Sequence, residues 1–591
     1  MKAIEKINQL RSLMKEYHID AYIVPSSDPH ISEYLPDHWK SRSWVSGFSG
    51  SAGTFVTTKS KAALWTDSRY FLQAEIELKD SGIELCKIGL PETLTIENWI
   101  AANVSTKAIV GFDGHVFQTA QAKSLVEILK RKHISCDSSI DLISPIWKNR
   151  PELPKGKAFI HELKFTGMSV SEKLSVIRKM MKDKGANAYL ICALDEVCWT
   201  FNIRGNDISY NPVVLSYGFI DQNQAILFID SKKITENLAN DLYEQGVRIK
   251  SYNKITKQLK KLDKDTAIFI DPSKSNYLLY KSIPKKVVKV EGTGIITEIK
   301  AHKNNIEIEG FRNAMVEDGI ALIDFLYWFD SNLGKTKITE IIIGEKLAEF
   351  RGKRNGFVSE SFSPIVGYSD HGAIVHYSAT KGTDYEIKSD GFLLIDSGGQ
   401  YQSGTTDITR TIHLGNPTDE EKIDFTLVLK GNIQLSMIKF PTGTRGSQLD
   451  TLARMAMWSR NINYGHGTGH GVGSFLNVHE GPMQIRPDNH LPIEVGEVIS
   501  NEPGLYRSGK YGIRIENLIV CTMDSENDFG KFLKFETLSL CPIDLKPIKI
   551  EMLLKEEKEW LNNYHREVYE KLSPFLGKEK KEWLKEKTKE I

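Results

Sequence analysis

Four segments in the second half of the chain hold acids and histidines among glycines and short apolar runs. Phe392 to Thr411 reads FLLIDSGGQYQSGTTDITRT: Asp396 ends an apolar strand, Gly398, Gly399 and Gly404 supply turns, and Asp407 opens the next strand eleven residues later. Ser500 to Asn517 has the same style, with Glu502 and Glu516 fourteen residues apart around a second glycine-containing turn. Between the two lies GHGTGHGVG, in which His466 and His470 are four apart, and His479 follows nine further on. His376 sits in a fourth segment, GAIVHY. A carboxylate beside a core is costly unless it is paired or bound to metal. Four of them together repel and raise one another's pKa. Two divalent cations would cancel the four charges. Oxygen-rich ligation with one imidazole suits Mn²⁺, Co²⁺ or Zn²⁺. Two such ions about 3.5–4 Å apart can hold a bridging water, lower its pKa and polarise a carbonyl. The predicted reaction class is hydrolysis.

Each residue alone has a blander reading. An Asp after an apolar strand is commonly a turn former, and a Gly/His loop can be a linker. GHGTGHGVG fits G-x-G-x-x-G in no frame and no Walker lysine follows, so nucleotide binding is not indicated. Only the conjunction of the four segments points to a metal site.

Those side chains need strands and turns to carry them, and the rest of the chain shows how they are mounted. A long helix is predicted from Lys303, with Ile308, Phe311, Met315, Leu322, Phe325 and Phe329 on one buried face. Arg514, two before Glu516, is expected on the same strand and face. Upstream there is an internal repeat: LRSLMKEYHIDAYIVPSSD (Leu10 to Asp28) and IRKMMKDKGANAYLICALD (Ile177 to Asp195) are offset by 167 residues. Each reads as an amphipathic helix, a turn and a buried strand. The expected domains are 1–155, 156–297 and 298–591, the last with a helical extension. Its end, Lys578 to Ile591, is mostly Lys and Glu and reads as a solvated helix or frayed end.

The 591 residues are 40% apolar and 26% charged, an ordinary globular composition. Lys+Arg 77 against Asp+Glu 76 gives a net charge of +1, which argues against nucleic acid or an anionic membrane as the main partner. No apolar run approaches the roughly 18 residues that cross a bilayer. Ile4, Ile7, Leu10 and Met14 have helical spacing, unlike a signal peptide. The six cysteines form no C-x-x-C pair, so the expectation is a reduced, cytoplasmic protein.

With these residues in view, the chain resembles the aminopeptidase P (Xaa-Pro aminopeptidase) family in its long, three-domain cytosolic form, within the creatinase/prolidase/methionine-aminopeptidase superfamily. The likeness is carried by the four segments, by AYIVPSSDPHISEYL from Ala21, WVSGFSGSAG from Trp44 and WTDSRYFLQA from Trp65, and by WLNNYH from Trp560. It implies an α/β fold: two duplicated creatinase-like N-terminal domains followed by a pita-bread catalytic domain. It also implies cleavage between a first residue and a penultimate proline by a metal-bridging hydroxide, two ions with Mn²⁺ favoured over Zn²⁺ or Co²⁺, and a homodimer. Asp396 would be the bidentate ligand of one ion, Asp407 and Glu516 bridging ligands, and His470 and Glu502 ligands of the other ion. Glu502 would also shuttle the proton. His376 and His479 would hydrogen-bond backbone groups and the tetrahedral intermediate, and His466 would shape the proline pocket. Arg514 and Tyr506 would support the site from behind. Glu33 and Arg69 would reach the site across a dimer or form a fold-maintaining ion pair. The alternatives are a prolidase-type dipeptidase, a creatinase-like C–N hydrolase, or a non-enzymatic binding module of this fold.

Overall fold

The sequence repeat is a repeat of sheets. A computed structural model describes residues 1–591. In the first copy the strands lie in the order Glu84–Lys87, Ala62–Thr66, Thr54–Thr58, Ala21–Pro25, Ile109–Phe112 and Ser135–Asp137. In the second the order is Val247–Ser251, Ala225–Ile229, Ser216–Asp221, Ala188–Ile191, Ala267–Ile270 and Val288–Glu291. The pairing is the same in both: parallel, antiparallel, antiparallel, parallel, parallel. Chance likeness of two helix–strand units would not reproduce that sequence of senses. Ala21–Val24 and Ala188–Ile191 are buried, as continuous apolar strands inside a two-sided sheet must be. The preceding helices bury Ile7, Leu10 and Met14 in one copy and Leu174, Ile177 and Met181 in the other. Both sheets belong to one compact unit, residues 1–161 and 168–297.

The second unit comprises residues 162–167 and 298–591. Its long helix, Asn305–Asn332, starts two residues later than the lysine suggested, because Asn304 caps it by accepting from the Ile306 and Glu307 amides. Phe311, Met315, Leu322, Phe325 and Phe329 are buried on it, and Ile308 is half-buried. A three-stranded antiparallel sheet (Ile365–Tyr368, Phe392–Ser397, Ile408–His413) and a six-stranded sheet centred on Val498–Asn501 and Asn517–Asn527 carry the predicted site. Helices Asp419–Met437 and Gly446–Trp458 cover them, burying Phe425, Val428, Leu429 and Ile433 in the unit's main core.

The charged tail forms the helix that is one of its two expected states, but a docked helix instead of a fully solvated one. Lys578–Lys587 is a docked helix: Leu584 is fully buried, and Lys580 and Lys587 pair with Asp324 and Asp330 of the long helix at 2.6 and 2.8 Å. The Trp583 indole N–H donates to Asp330. Its apolar face is only Trp583 and Leu584, too sparse to give a helical period. No helix is long and apolar enough to cross a membrane. All six cysteines are free thiols, five of them buried.

Candidate metal centre

Strand register assembles the acids. Phe392–Ser397 and Ile408–His413 pair antiparallel with Asp396 opposite Thr409, so Asp407, one residue before its strand, lies at the same end. In the other sheet Asn501 pairs with Asn517, and Glu502 and Glu516 leave from that level around the hairpin Gly504–Arg507/Tyr511–Arg514. Arg514 therefore ends one strand while Glu516 sits in the link to the next, a correction to their expected common strand. The Glu516 amide donates to the Thr409 carbonyl at 3.1 Å, tying the two sheets at the site. His470 comes from the short strand Gly469–Gly471, and the Glu502 amide donates to the Thr468 carbonyl at 2.8 Å. Close packing explains the glycines: a Cβ on Gly469 would meet the Ser500 carbonyl oxygen at 1.9 Å, and one on Gly398 the Thr406 carbonyl oxygen at 2.0 Å.

Donor atoms of Asp407, His470 and Glu516 all lie within 4.8 Å of one another. His470 Nε2 is 3.4 Å from Asp407 Oδ2 and 3.6 Å from Glu502 Oε1. Its Nδ1 faces the Gly471 carbonyl at 2.9 Å, which fixes the ring with Nε2 toward the acids. Asp396 Oδ2 accepts from Arg514 Nη2 at 2.6 Å, whereas Asp396 Oδ1 is buried without a partner. Thr409 Oγ1 donates to Glu516 Oε2 at 2.8 Å, and Ser500 Oγ to Glu502 Oε1 at 3.2 Å.

Burial dominates the electrostatics. It raises Asp396 to about 6, with Asp407 adding to the shift against Arg514. It raises Glu502 to about 7, and it raises Glu516 well above the usual carboxylate range, with Asp407 and Asp396 adding repulsion. Burial works against a charge on His470, but Asp407 and Glu502 outweigh it and lift the imidazole to about 9. Four carboxylates thus face one guanidinium and one imidazole. The deficit of positive charge, the unpartnered Asp396 Oδ1 and the one-imidazole, oxygen-rich donor set fit a pair of divalent cations.

The remaining predicted residues have definite places. His466 Nε2 lies 2.8 Å from the Tyr506 hydroxyl, and Tyr506 accepts from Arg514 Nη1 at 2.8 Å. A polar chain therefore runs from His466 through Tyr506 and Arg514 to Asp396. The His479 ring stands edge-on to His470, centroids 4.3 Å apart. His376 follows Val375, whose carbonyl is 3.5 Å from Arg514 Nη2. Glu33 and Arg69 lie in the N-terminal unit, where the Arg69 fork grips Asp67 through two bonds of 2.8 Å. Sequence reasoning missed Glu340, a fully buried carboxylate that takes His371 Nδ1 at 2.9 Å and the Tyr377 hydroxyl at 3.0 Å and so anchors the segment bearing His376. It also missed Thr409, Asp450 and Arg454. Their only signal was polarity at positions that proved buried.

Fold and site together define a metallopeptidase. Residues 309–523 match metallopeptidase family M24, and 531–591 match the C-terminal region of that peptidase family. Residues 6–143 and 149–307 each match a creatinase/prolidase N-terminal domain. The chain is 40% identical to Xaa-Pro aminopeptidase 1 of Dictyostelium discoideum, over 97% of this chain and 94% of that one. It is 39% identical to aminopeptidase P2 of Arabidopsis thaliana, over 97% and 86%. The crystal structure of X-prolyl aminopeptidase from Caenorhabditis elegans, described as a cytosolic enzyme with a di-nuclear active site, superposes with a TM-score of 0.95 at 34% identity over 100% of both chains. An Xaa-Pro dipeptidase from Bacillus anthracis shares the fold at a TM-score of 0.52 and 22% identity, covering 64% of this chain and 99% of its own. The chain belongs to the Xaa-Pro aminopeptidase family.

Proposed function

We propose that the protein is a dinuclear-metal aminopeptidase that releases the first residue of peptides whose second residue is proline. The observation that carries this is the cluster of three buried carboxylates and the half-buried Glu502, with Arg514 and His470 as the nearby cations and with Asp396 Oδ1 unpartnered. Asp396, Asp407, His470, Glu502 and Glu516 would together hold the two ions; Mn²⁺ is favoured, and Zn²⁺ or Co²⁺ satisfies the same donors. When bound, the ions lower the pKa of a water and polarise the scissile carbonyl.

The chain's own residues do the rest. Glu502, its Oε1 3.6 Å from His470 Nε2, is placed to take a proton from the attacking water and return it to the departing proline nitrogen. Ser500 Oγ orients that carboxyl. Arg514 holds Asp396 and, through Tyr506, the His466 ring. His466 shapes the proline pocket, and His376 and His479 donate to the substrate backbone and to the oxygen that gains charge in the tetrahedral intermediate. An X–Pro amide has no N–H to donate, so recognition rests on this histidine-lined pocket. The substrate's free α-amino group would anchor beside the acids.

The same reading makes the protein a cytoplasmic homodimer divided near residues 155 and 297. The test is release of arginine from Arg-Pro-Pro with added Mn²⁺. Release that a chelator abolishes is expected. No release, with the chelator making no difference, overturns the reading, and faster turnover of the dipeptide Arg-Pro replaces it with a dipeptidase.

A further inference from the structure

We propose that Asp450 and Arg454, on the helix Gly446–Trp458, are positioning residues that set the proline pocket by fixing the loop that carries His466; the inference rests on the function proposed above. The loop alternates glycine with its functional residues, at Gly465, Gly467 and Gly469. A chain so permissive cannot hold an imidazole in place by itself. The helix does this with one guanidinium and one carboxylate, each 3% exposed or less.

Arg454 donates from Nη2 to the His466 carbonyl at 2.7 Å. Its Nη1 donates to the Tyr464 carbonyl at 2.8 Å and to Asn463 Oδ1 at 2.9 Å. Its Nε donates to Asp450 Oδ2 at 2.7 Å, and its plane lies 3.8 Å over the Tyr464 ring. The other oxygen, Asp450 Oδ1, accepts from Thr468 Oγ1 at 2.6 Å. Thr468 is the residue whose carbonyl takes the Glu502 amide at 2.8 Å. Arg454 thus pins the loop at His466, and Asp450 pins it two residues later. From that fixed backbone the His466 ring reaches Tyr506 at 2.8 Å. The planar fork matters here, because a lysine ammonium cannot span the Asp450 carboxylate and two loop carbonyls at once.

The experiment uses the full-length, Mn²⁺-loaded protein and a cycle of Arg454→Lys, Asp450→Asn and His466→Ala. The readouts are kcat and KM for Arg-Pro-Pro and for Arg-Ala-Pro, with bound metal measured per chain. Arg454→Lys is expected to lower kcat/KM for Arg-Pro-Pro by about tenfold to a hundredfold, mainly through KM. It is expected to erode the preference for proline over alanine while leaving two metals bound. If Arg454 acts through His466, the double variant Arg454→Lys/His466→Ala is no worse than His466→Ala alone, within about twofold. Multiplicative losses, or an unchanged preference for proline, overturn the inference. Should Arg454→Lys fail to fold, Asp450→Asn runs through the same cycle with the same two outcomes. A wild-type protein that cleaves neither peptide overturns the proposed function itself, whereas multiplicative losses in an active protein overturn only the positioning role.

Discussion

Loading the site with Mn²⁺ at pH 7 should expel protons, because the cluster crowds raised carboxyls around a raised imidazole. The metal-free cluster stores protons because burial penalises the charged forms of Asp396, Glu502 and Glu516. Burial raises Glu516 well above the ordinary carboxylate range, Glu502 to about 7 and Asp396 to about 6, and the acids add mutual repulsion. His470, lifted to about 9, carries a proton on the cluster that a metal ligand must give up. Binding of both ions should therefore release more than one proton, about one from His470 and the rest from the raised carboxyls. Each released proton changes the binding free energy by about 1.4 kcal/mol per pH unit. The combined metal affinity should therefore rise by more than about 1.4 kcal/mol, that is more than about tenfold, per pH unit around neutrality. Isothermal titration in PIPES, HEPES and Tris, whose ionisation enthalpies differ, reads the proton count directly. The same groups set the stability of the metal-free form. Carboxyls with raised folded pKa values favour folding fully below their unfolded pKa near 4, and that contribution is lost as pH rises through 6 to 7. Metal-free protein should thus lose thermal stability as the buffer becomes more alkaline, and Mn²⁺ should restore more of it at pH 8 than at pH 6. Fewer than one proton released, with an affinity indifferent to pH, would refute the account of a buried, proton-storing acid cluster.

Three further outcomes are expected. Asp407→Asn should bind at most one ion per chain by elemental analysis and cleave Arg-Pro-Pro at least about a hundredfold more slowly, with near-native circular dichroism. Tyr564→Phe, on the helix Lys555–Leu572, should lower the melting temperature by about 2–6 °C, because it removes a buried hydroxyl, worth about 1–3 kcal/mol, that accepts from the Cys541 amide and from Arg410 Nη2, and Arg410 Nη1 supports the Glu516 carbonyl at 2.6 Å; an unchanged melting curve would show that this helix is no buttress. His30 is buried between the Cys192 carbonyl and the Tyr252 hydroxyl, and burial lowers it to about 3. A basic group with a depressed folded pKa gives its full stability above 6.5 and loses it as pH falls, at up to about 1.4 kcal/mol per unit. His30→Gln should flatten that acid limb in denaturant titrations between pH 6.5 and 4, and a slope equal to that of the wild type would contradict the assignment.

The acids were readable because each advertised itself by a mismatch of type and place. A carboxylate ending the run FLLI or following an Asn-terminated strand among glycines has no cheap local explanation, and four such mismatches ask for a common cause. The sheets then bring Asp396, Asp407, Glu502 and Glu516 to one level through two antiparallel registers, Asp396 opposite Thr409 and Asn501 opposite Asn517. The duplicated N-terminal sheets were readable for a related reason, since a buried central strand between amphipathic helices leaves a strong pattern in a short stretch. What escaped is the scaffold behind the loops. Glu340, Asp450 and Arg454 look like ordinary charged positions on helices, where most charges are solvated, and nothing local reveals that their faces turn inward. Glycine-rich segments let donors approach closely, and the same freedom leaves them unable to fix themselves. Rigidity therefore has to come from elsewhere in the chain, through long-range bonds such as Arg454 to the His466 carbonyl or Glu340 to His371. The ligand set is local chemistry and can be read from one sequence. The groups that hold the ligand-bearing loops still are set by tertiary contact, and a helix-borne charge betrays that role only when its surroundings are known.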